Sequence, residues 1–360
     1  MNNTRSFLPE EKNPCRNGQE KDSIILSTRV SISRNLANYK FPSSCSTEEK
    51  NQLVDIIRNS ASRIDKLSDL CFLKISKISD TERLIMANDY QIDDDFISKI
   101  PGRGILVMPQ HSIRENAIAI PLCWDDHIRI QVSGPGNIID ESYSSAVEIE
   151  KSFESRLLFS FDKQWGYLTS NPANLGTALE ISLMVHLPAL AISPEIADFI
   201  KNLTKIGYAI GGFSGKDSEV IGNLFRISSS RTLGKSEKEI VEEMHAICLN
   251  IVDEEKSARK ELLKKDPLGA KDNVCRSFGL LKYAKILSFE EALELLSILR
   301  LGLDLGIIEK IKDFDFFELI NIVGDSHIIS SFEMGKKATD DDIDKKRADL
   351  IRKKILGDIE

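Results

Sequence analysis

The feature that most constrains the fold is a series of short apolar runs in the first half of the chain. They cover Gly104 to Met108, Ala117 to Leu122 and His127 to Val132, and an earlier run from Ser23 to Val30 is rich in Ile, Leu and Val. Turn-forming or charged residues separate the three later runs. Short runs of this composition, bounded by polar residues, are typical of β-strands. The first half of the chain is therefore predicted to form a sheet.

Helical segments are predicted around and after these runs. A serine followed three residues later by a glutamate, a pair that caps the start of a helix, occurs as Ser46 with Glu49, Ser236 with Glu239 and Ser288 with Glu291. The pattern is also helical from Ser144 to Phe161. A further helix is predicted between the loop Thr169 to Thr177 and Pro188.

The length of the chain predicts two domains, since a single core stops growing near about 250 to 300 residues and this chain has 360. After Arg259 the composition changes. Lys256 to Lys271 is highly charged, and a Leu-rich capped helix follows it. We therefore predict a polar leader over residues 1–20, a large domain over residues 21–259 and a helical C-terminal domain over residues 260–360.

Charge and composition exclude several classes of protein. The net charge of −8 and the pI of about 5.4 argue against a nucleic-acid partner, because neutralising phosphates requires a clustered basic surface. The polar N-terminus lacks the apolar core of a secretory signal, and the most apolar run, Leu183 to Ile192, is too short to span a bilayer. We expect a cytoplasmic protein with no membrane partner. The six cysteines contain no CxxC pair, so we expect reduced thiols and no bound metal.

Four polar motifs occur in order along the large domain. They are STRVSISRN at Ser27 to Asn35, DDHIRIQ at Asp125 to Gln131, GYLTSNPANLGTAL at Gly166 to Leu179, and GGFSGKDSEVIGNLFRIS at Gly211 to Ser228. Together they resemble the motifs of the phosphagen (guanidino) kinase family. Two C-terminal segments, Arg300 to Gly306 and Asp344 to Arg352, resemble the bacterial protein-arginine kinases of that family specifically. The resemblance covers about residues 20 to 355.

The resemblance implies a fold, an activity and partners. The implied fold is α+β, an antiparallel sheet flanked by helices plus a helical C-terminal domain that serves dimerisation. The implied reaction transfers the γ-phosphoryl group of ATP, with Mg²⁺, to arginine side chains of proteins in the stress response. The implied partners are a zinc-binding activator protein, a heat-shock repressor and a Clp-type unfoldase, and the implied assembly is a homodimer. The Leu-rich face of Leu293, Leu296 and Leu299 predicts self-association, although ordinary core packing explains it as well.

The resemblance also assigns site residues, and several of them have the wrong chemistry. Phosphagen kinases hold ATP with a fan of five arginines, whose positions here are Arg29, Ser31, Arg129, Glu180 and Gly211. Two of the five arginines are retained. Glu180 places a negative charge where the family binds a triphosphate.

The positions that the resemblance assigns to binding the substrate guanidinium also carry substitutions. Of the two carboxylates that orient and deprotonate the guanidinium in the family, one corresponds to Asp125 and the other to Lys216, which reverses the charge. The family's reactive thiol corresponds to Asn171. In the C-terminal phosphoarginine-binding motif, Asp344 and Arg347 are present. The leading arginine of that motif is Ile343, and a solvated charged helix is an equally good interpretation of this segment.

These substitutions lead to two hypotheses. Losing three charge-assisted hydrogen bonds would cost ATP binding about 4 to 9 kcal/mol, which favours a pseudokinase that acts through protein interaction or regulation. The alternative is an active protein-arginine kinase with Asp125 as base and with Arg29 and Arg129 on the phosphates. Compensating arginines at Arg226, Arg231 or Arg156, or an alignment shifted by one residue, would favour the alternative.

Overall fold

The computed structural model describes residues 24–89, 92, 93, 96, 98, 100–108, 115–213, 219–309, 311, 314–334 and 338–356. The predicted leader and Lys216 lie outside the described residues. Within the described residues, no helix is long and apolar enough to cross a membrane.

An eight-stranded antiparallel sheet forms the centre of the large domain. Its strands are, in chain order, β1 (Ile25–Arg34), β2 (Cys71–Lys74), β3 (Gly104–Val107), β4 (Ala117–Leu122), β5 (Ile128–Pro135), β8 (Leu179–His186), β9 (Tyr208–Gly211) and β10 (Leu224–Ser229). Their spatial order is β2-β3-β4-β5-β1-β8-β10-β9. Two further strands, β6 (Phe161–Asp162) and β7 (Gly166–Tyr167), form a separate hairpin. The strands predicted from the apolar runs are confirmed.

The helix predicted before Pro188 is wrong, because this segment is strand β8. It pairs with β1 on one side and β10 on the other. Ile181, Leu183 and Val185 join the main core, while the intervening Ser182 and Met184 lie on the opposite face and are also buried. Leu179, Ile181, Leu183 and Val185 alternate with the polar residues Glu180, Ser182 and His186. The segment therefore follows the two-residue period of a strand, which the helix prediction overlooked.

The described helices cover the sheet and build the C-terminal region. They are α1 (Thr47–Ala61), α2 (Asp80–Asp89), α3 (Ile139–Glu154), α4 (Pro188–Ile192), α5 (Ile196–Lys205), α6 (Glu237–Lys265), α7 (Pro267–Tyr283), α8 (Phe289–Asp304), α9 (Phe316–Ile322), α10 (Asp325–Ser331) and α11 (Asp340–Leu356). Complete capping boxes start α1 and α6, as predicted. At the start of α8, the Ser288 side chain accepts the Glu291 N–H.

One face of the sheet is apolar and packs against helices α3 and α6. Val30 and Ile32 of β1, Ile130 of β5 and Ile181 of β8 share a core with Met244 of α6. Because side chains alternate along a strand, the intervening residues of the same strands project from the other face. The candidate functional site lies on that second face.

The C-terminal helices form a second apolar core. Leu293, Leu296 and Leu299 of α8 are completely buried in it. The proposed self-association face is therefore wrong, and the alternative of ordinary core packing is confirmed for these three leucines. Helix α6 runs without a break through residue 260, where we predicted the domain boundary.

Buried polar contacts join the two cores. The Nε2 atom of His186, at the end of β8, lies 2.8 Å from the hydroxyl of Ser297 in α8, and Asn223 donates to the same hydroxyl at 2.8 Å. His186 is completely buried, and its pKa lies well below the ordinary value because of burial and the nearby charges of Arg259 and Arg300. The imidazole is therefore neutral at neutral pH.

Candidate functional site

The sheet register places the predicted nucleotide-binding positions on one face, which we call the polar face. Ser31 lies opposite Glu180, Arg29 lies opposite Ser182, and Ser33 lies opposite Arg129. Directly paired residues of antiparallel strands project to the same side. β1, β5 and β8 therefore bring together four of the five assigned arginine-fan positions, Arg29, Ser31, Arg129 and Glu180.

Arg29 is held between two carboxylates of the chain. Its guanidinium donates to Asp93 at 3.0 Å and to Glu180 at 3.4 Å, and its side chain is only 1% exposed. Burial disfavours the charged guanidinium, but the attraction of Asp93 and Glu180 outweighs burial and raises the pKa of Arg29. The positive charge is retained, and it is balanced within the chain.

Glu180 bridges the two retained arginines. Its second oxygen lies 3.5 Å from the Arg129 guanidinium, and the hydroxyl of Ser182 donates to its first oxygen at 3.2 Å. Arg129 also lies over the ring of Trp124, 5.1 Å from its centroid, a favourable cation–π arrangement. Glu180, which the resemblance assigns to an arginine position of the family, therefore acts as an internal counter-ion for Arg29 and Arg129.

Asp93 is a site residue that the sequence analysis missed. Burial favours its neutral form, yet the positive charges of Arg29, Arg129 and Arg226 hold its pKa well below the ordinary value. It is ionised at neutral pH and adds a second negative charge to the polar face. No motif surrounds Asp93 in the sequence, so only the folded structure reveals that it contacts Arg29.

Of the three arginines considered as possible replacements, Arg226 lies on the polar face. It lies on β10 directly opposite Gly211 of β9, the position at which the family arginine is missing. Its guanidinium donates to the carbonyl of Phe213 at 3.1 Å. The other two candidates bind elsewhere: Arg231 donates to the carbonyl of Lys205, and Arg156 donates to that of Arg63.

The space between these side chains is small. The cavity lined by Ser31, Ser33, Arg129, Glu180 and Thr232 offers about 10 Å³ to solvent, which is room for about one water molecule. The hydroxyl of Ser31 is buried and has no hydrogen-bond partner among the described residues. Phosphate groups are bound by charge-assisted hydrogen bonds from such cations, whereas both retained arginines are paired with carboxylates of the chain. A triphosphate bound here would have to replace these ion pairs.

A second set of polar residues lies at the end of β1 and just before β5, and we call it the clamp: Asn35, Asp126 and His127. The amide of Asn35 donates to Asp126 at 2.6 Å, and its oxygen accepts the His127 N–H at 2.9 Å. The Nδ1 atom of His127 accepts the Leu36 N–H at 2.9 Å, so the ring proton lies on Nε2, which is 2.9 Å from the carbonyl of Lys40. The clamp fixes the end of β1 to the start of β5.

The clamp also positions the loop that carries Asn171. Asp126 accepts the backbone N–H of Ser170 at 2.8 Å, and the hydroxyl of Ser170 donates to the carbonyl of Asp125 at 2.5 Å. These bonds bring the two predicted substrate positions, Asp125 and Asn171, to the same corner of the molecule. The Asn171 side chain accepts the Ala173 N–H at 3.0 Å and so caps a short 3₁₀ helix.

Gly176 closes this loop against the chain after β10. Its φ of +102° is one that side chains rarely adopt, and an added Cβ would lie 2.6 Å from the carbonyl of Thr232. The hydroxyl of Thr232 donates to the carbonyl of Leu175 at 2.6 Å. Glycine is therefore required here by both conformation and space.

Nearly the whole sequence matches known proteins. A model of the ATP:guanido phosphotransferase C-terminal catalytic domain matches residues 52–258, and a model of the protein-arginine kinase McsB C-terminal domain matches residues 268–358. The protein-arginine kinase of Halothermothrix orenii is 34% identical over 338 residues, which are 94% of each chain. The chain belongs to the protein-arginine kinase family. The protein-arginine kinase of Halalkalibacterium halodurans is 32% identical over 97% of each chain.

Solved structures share the fold of this family member. The crystal structure of lombricine kinase superimposes with a TM-score of 0.55 at 20% identity, over 67% of this chain and 68% of that chain. The duplicated taurocyamine kinase from Schistosoma mansoni gives a TM-score of 0.57 at 22% identity, over 76% of this chain and 39% of that chain. The predicted antiparallel sheet with flanking helices and a helical C-terminal region is confirmed.

The C-terminal motif of this family member surrounds a buried arginine. Arg347 is 1% exposed and donates to the carbonyls of Val323 and Leu287, both at 2.7 Å. It also forms ion pairs with Asp344 and Asp325. The structure thus brings Asp344 and Arg347 together, and the described contacts of Arg347 join helices α10 and α11 to the start of α8.

Proposed function

We propose that this chain is a pseudokinase of the protein-arginine kinase family, cytoplasmic and dimeric, which acts by binding or regulating other proteins. The observation that carries the proposal is the pair of ion contacts from Glu180 to Arg29 and Arg129. In a working site these cations would contact phosphates and stabilise the transferred group. Here a triphosphate would have to displace Glu180 and would meet its negative charge.

The substrate side of the site supports the same proposal. Asp125 is the one assigned carboxylate that remains, and Asn171 uses its side chain as a helix cap instead of presenting a thiolate. Lys216 carries a positive charge where the family presents a carboxylate to the guanidinium. Two cations facing each other would repel, at a cost of several kcal/mol at the effective dielectric of a partly buried pair.

The family suggests the setting in which such a protein would act. We propose partners within the stress-response machinery, namely a zinc-binding activator protein, a heat-shock repressor and a Clp-type unfoldase. A chain that keeps the scaffold but not the chemistry could hold such a partner without modifying it. We also propose that ATP and Mg²⁺, the family's cofactors, bind weakly or not at all.

An active kinase remains the second candidate, and Arg226 favours it. The guanidinium of Arg226 lies on the polar face beside the position that lost an arginine at Gly211, so three cations remain near a potential phosphate site. The relatives from Halothermothrix orenii and Halalkalibacterium halodurans are both named protein-arginine kinases. In this case Asp125 would act as the base.

A mass-spectrometric assay for phosphoarginine on a basic protein substrate distinguishes the two candidates. We expect no product from the wild-type chain and none from Lys216→Glu alone, because Glu180 still opposes the triphosphate and residues that act as a unit are not additive. The quadruple variant Ser31→Arg, Glu180→Arg, Gly211→Arg and Lys216→Glu should bind ATP measurably. Robust phosphorylation by the wild-type chain would establish the active kinase. A folded quadruple variant that ignores ATP would show that the nucleotide site lies elsewhere.

A further inference from the structure

A groove of about 350 Å³ lies between α4 and the C-terminal half of α6. Its apolar lining includes Leu190, Pro194, Ala258 and Leu262. Helix α6 packs on the apolar side of the sheet, so the groove and the polar face lie on opposite sides of the sheet. The volume is at the lower end of the range of small-molecule sites, roughly 300 to 1,000 Å³.

The groove is held open by buried contacts. The carboxylate of Glu255 in α6 accepts the backbone N–H groups of Ala189 at 3.2 Å and Leu190 at 2.9 Å, which fixes α4 to α6. Glu255 also accepts from Arg259 at 2.7 Å, and Arg259 donates to Asp304 of α8 at 3.0 Å. A groove whose walls are fixed before binding loses little conformational freedom when a ligand enters.

The rim of the groove is acidic. Glu195, Glu254 and Glu261 line it together with one cation, Lys265, which pairs with Glu261 at 3.3 Å. Glu195 and Glu254 form no ion pair in the part of the chain that the structure describes. The groove therefore carries two uncompensated negative charges above an apolar floor.

We propose that this groove docks an arginine-bearing segment of another polypeptide. An arginine side chain combines an aliphatic stem, which suits the floor, with a planar cation that pairs well with carboxylates. The rim supplies that charge complementarity at Glu195 and Glu254. The proposal deepens the proposed function, since it rests on a chain that acts by binding proteins, and it names the surface and the kind of partner.

The test is fluorescence anisotropy with a labelled peptide of alternating leucine and arginine, using the full chain without nucleotide. A second peptide carries citrulline, a neutral isostere, in place of arginine. We expect the arginine peptide to bind at least about tenfold more tightly than the citrulline peptide, and the double variant Glu195→Gln and Glu254→Gln to lose about tenfold in affinity for the arginine peptide. Ser257→Trp, an exposed lining position, should block binding by filling the groove.

The matched control is Asp272→Asn with Glu294→Gln, which changes the net charge equally at exposed positions outside the groove lining. If the control and the groove variant lost the same affinity for the arginine peptide, the attraction would be non-specific and the proposal would be overturned. Absence of arginine-peptide binding, or binding that survives both Ser257→Trp and the double variant, would overturn it too. The proposal would also be overturned if the wild-type chain formed a dimer that the groove variants dissociate, because the groove would then bind a second copy of the chain. None of these results depends on ATP, so they test the groove alone. The pseudokinase proposal is tested separately by the phosphoarginine assay.

Discussion

The polar face lies on β1, β5 and β8, and the clamp lies at the end of β1 and the start of β5, but the two regions use charge in different ways. In the clamp, Asn35, Asp126 and His127 pair with each other and with backbone groups. On the polar face, Arg29 and Arg129 pair with Glu180, the position that the resemblance assigns to a phosphate-binding arginine. The comparison shows one set of polar residues that is satisfied by backbone groups and another whose cations are balanced by a carboxylate of the chain.

The largest effect is expected from breaking the clamp. Asn35→Ala removes a buried amide that makes three hydrogen bonds and leaves Asp126 with one partner fewer, so we expect the free energy of unfolding to fall by about 3 kcal/mol or more. Urea denaturation measures this. Ser31→Ala on the polar face is the control, and it should change stability by less than about 0.5 kcal/mol, because the Ser31 hydroxyl has no described partner. Equal losses for both variants would contradict the distinction between the two regions.

A smaller effect, with a diagnostic ligand response, is expected from Glu180→Gln. Removing this carboxylate takes one ion pair from Arg129 and one from Arg29, so we expect the free energy of unfolding to fall by about 2 kcal/mol. Tripolyphosphate should then raise the melting temperature of the variant more than that of the wild type, because a ligand that binds only the folded state stabilises it.

The control for that experiment is Glu150→Gln. Glu150 pairs with the buried Arg34 at 2.6 Å, away from the polar face. This variant should lose comparable stability without any gain from tripolyphosphate. If both variants respond equally to the anion, Glu180 is not acting as a replacement for phosphate.

The contributions of the clamp and of the polar face to stability should also depend on pH in different ranges. Burial lowers the pKa of His127 in the clamp and that of His186 at the end of β8. The unfolded chain then binds protons more readily than the folded one, so stability is lost as the pH falls below the unfolded value of about 6.5, by up to about 1.4 kcal/mol per pH unit for each histidine. Asp93 has a lowered pKa, and its contribution is lost only below about pH 4.

Denaturation curves measured between pH 7.5 and 5 check this expectation. Replacing His186 with Gln should flatten the dependence, while Asp93→Asn should leave its slope unchanged in that range. If the dependence of stability on pH persisted in the His186 variant and disappeared in the Asp93 variant, Asp93 and not His186 would cause it, and the prediction would be wrong.

Much of the fold could be predicted from the sequence, because its strands are bounded by polar turns and its helices start with capping boxes. Strand β8 was also predictable, because Leu179, Ile181 and Leu183 alternate with Glu180 and Ser182 at the period of a strand, so the helix prediction was an error of interpretation. The motifs assigned four residues to the arginine fan of the family: Arg29, Ser31, Arg129 and Glu180. The sheet register brings these four residues onto one face. Local sequence could not reveal the role of Asp93, which depends on a contact 64 positions away along the chain.

Some functional interpretations also required the packed structure. Nothing in the sequence distinguishes Arg226 from Arg231 or Arg156, yet only Arg226 lies on the polar face opposite Gly211. The groove between α4 and α6 is likewise invisible in the sequence, because its walls come from segments more than 60 residues apart, such as Leu190 and Glu255.

The most direct test of the central claim is calorimetric titration of Mg-ATP into the wild-type chain, since the claim is that Glu180 and Asp93 neutralise the cations that would bind the triphosphate. We predict no saturable heat at millimolar Mg-ATP and no appreciable rise in melting temperature. A saturable binding curve with micromolar affinity, abolished by mutating Arg29 or Arg129, would contradict the account.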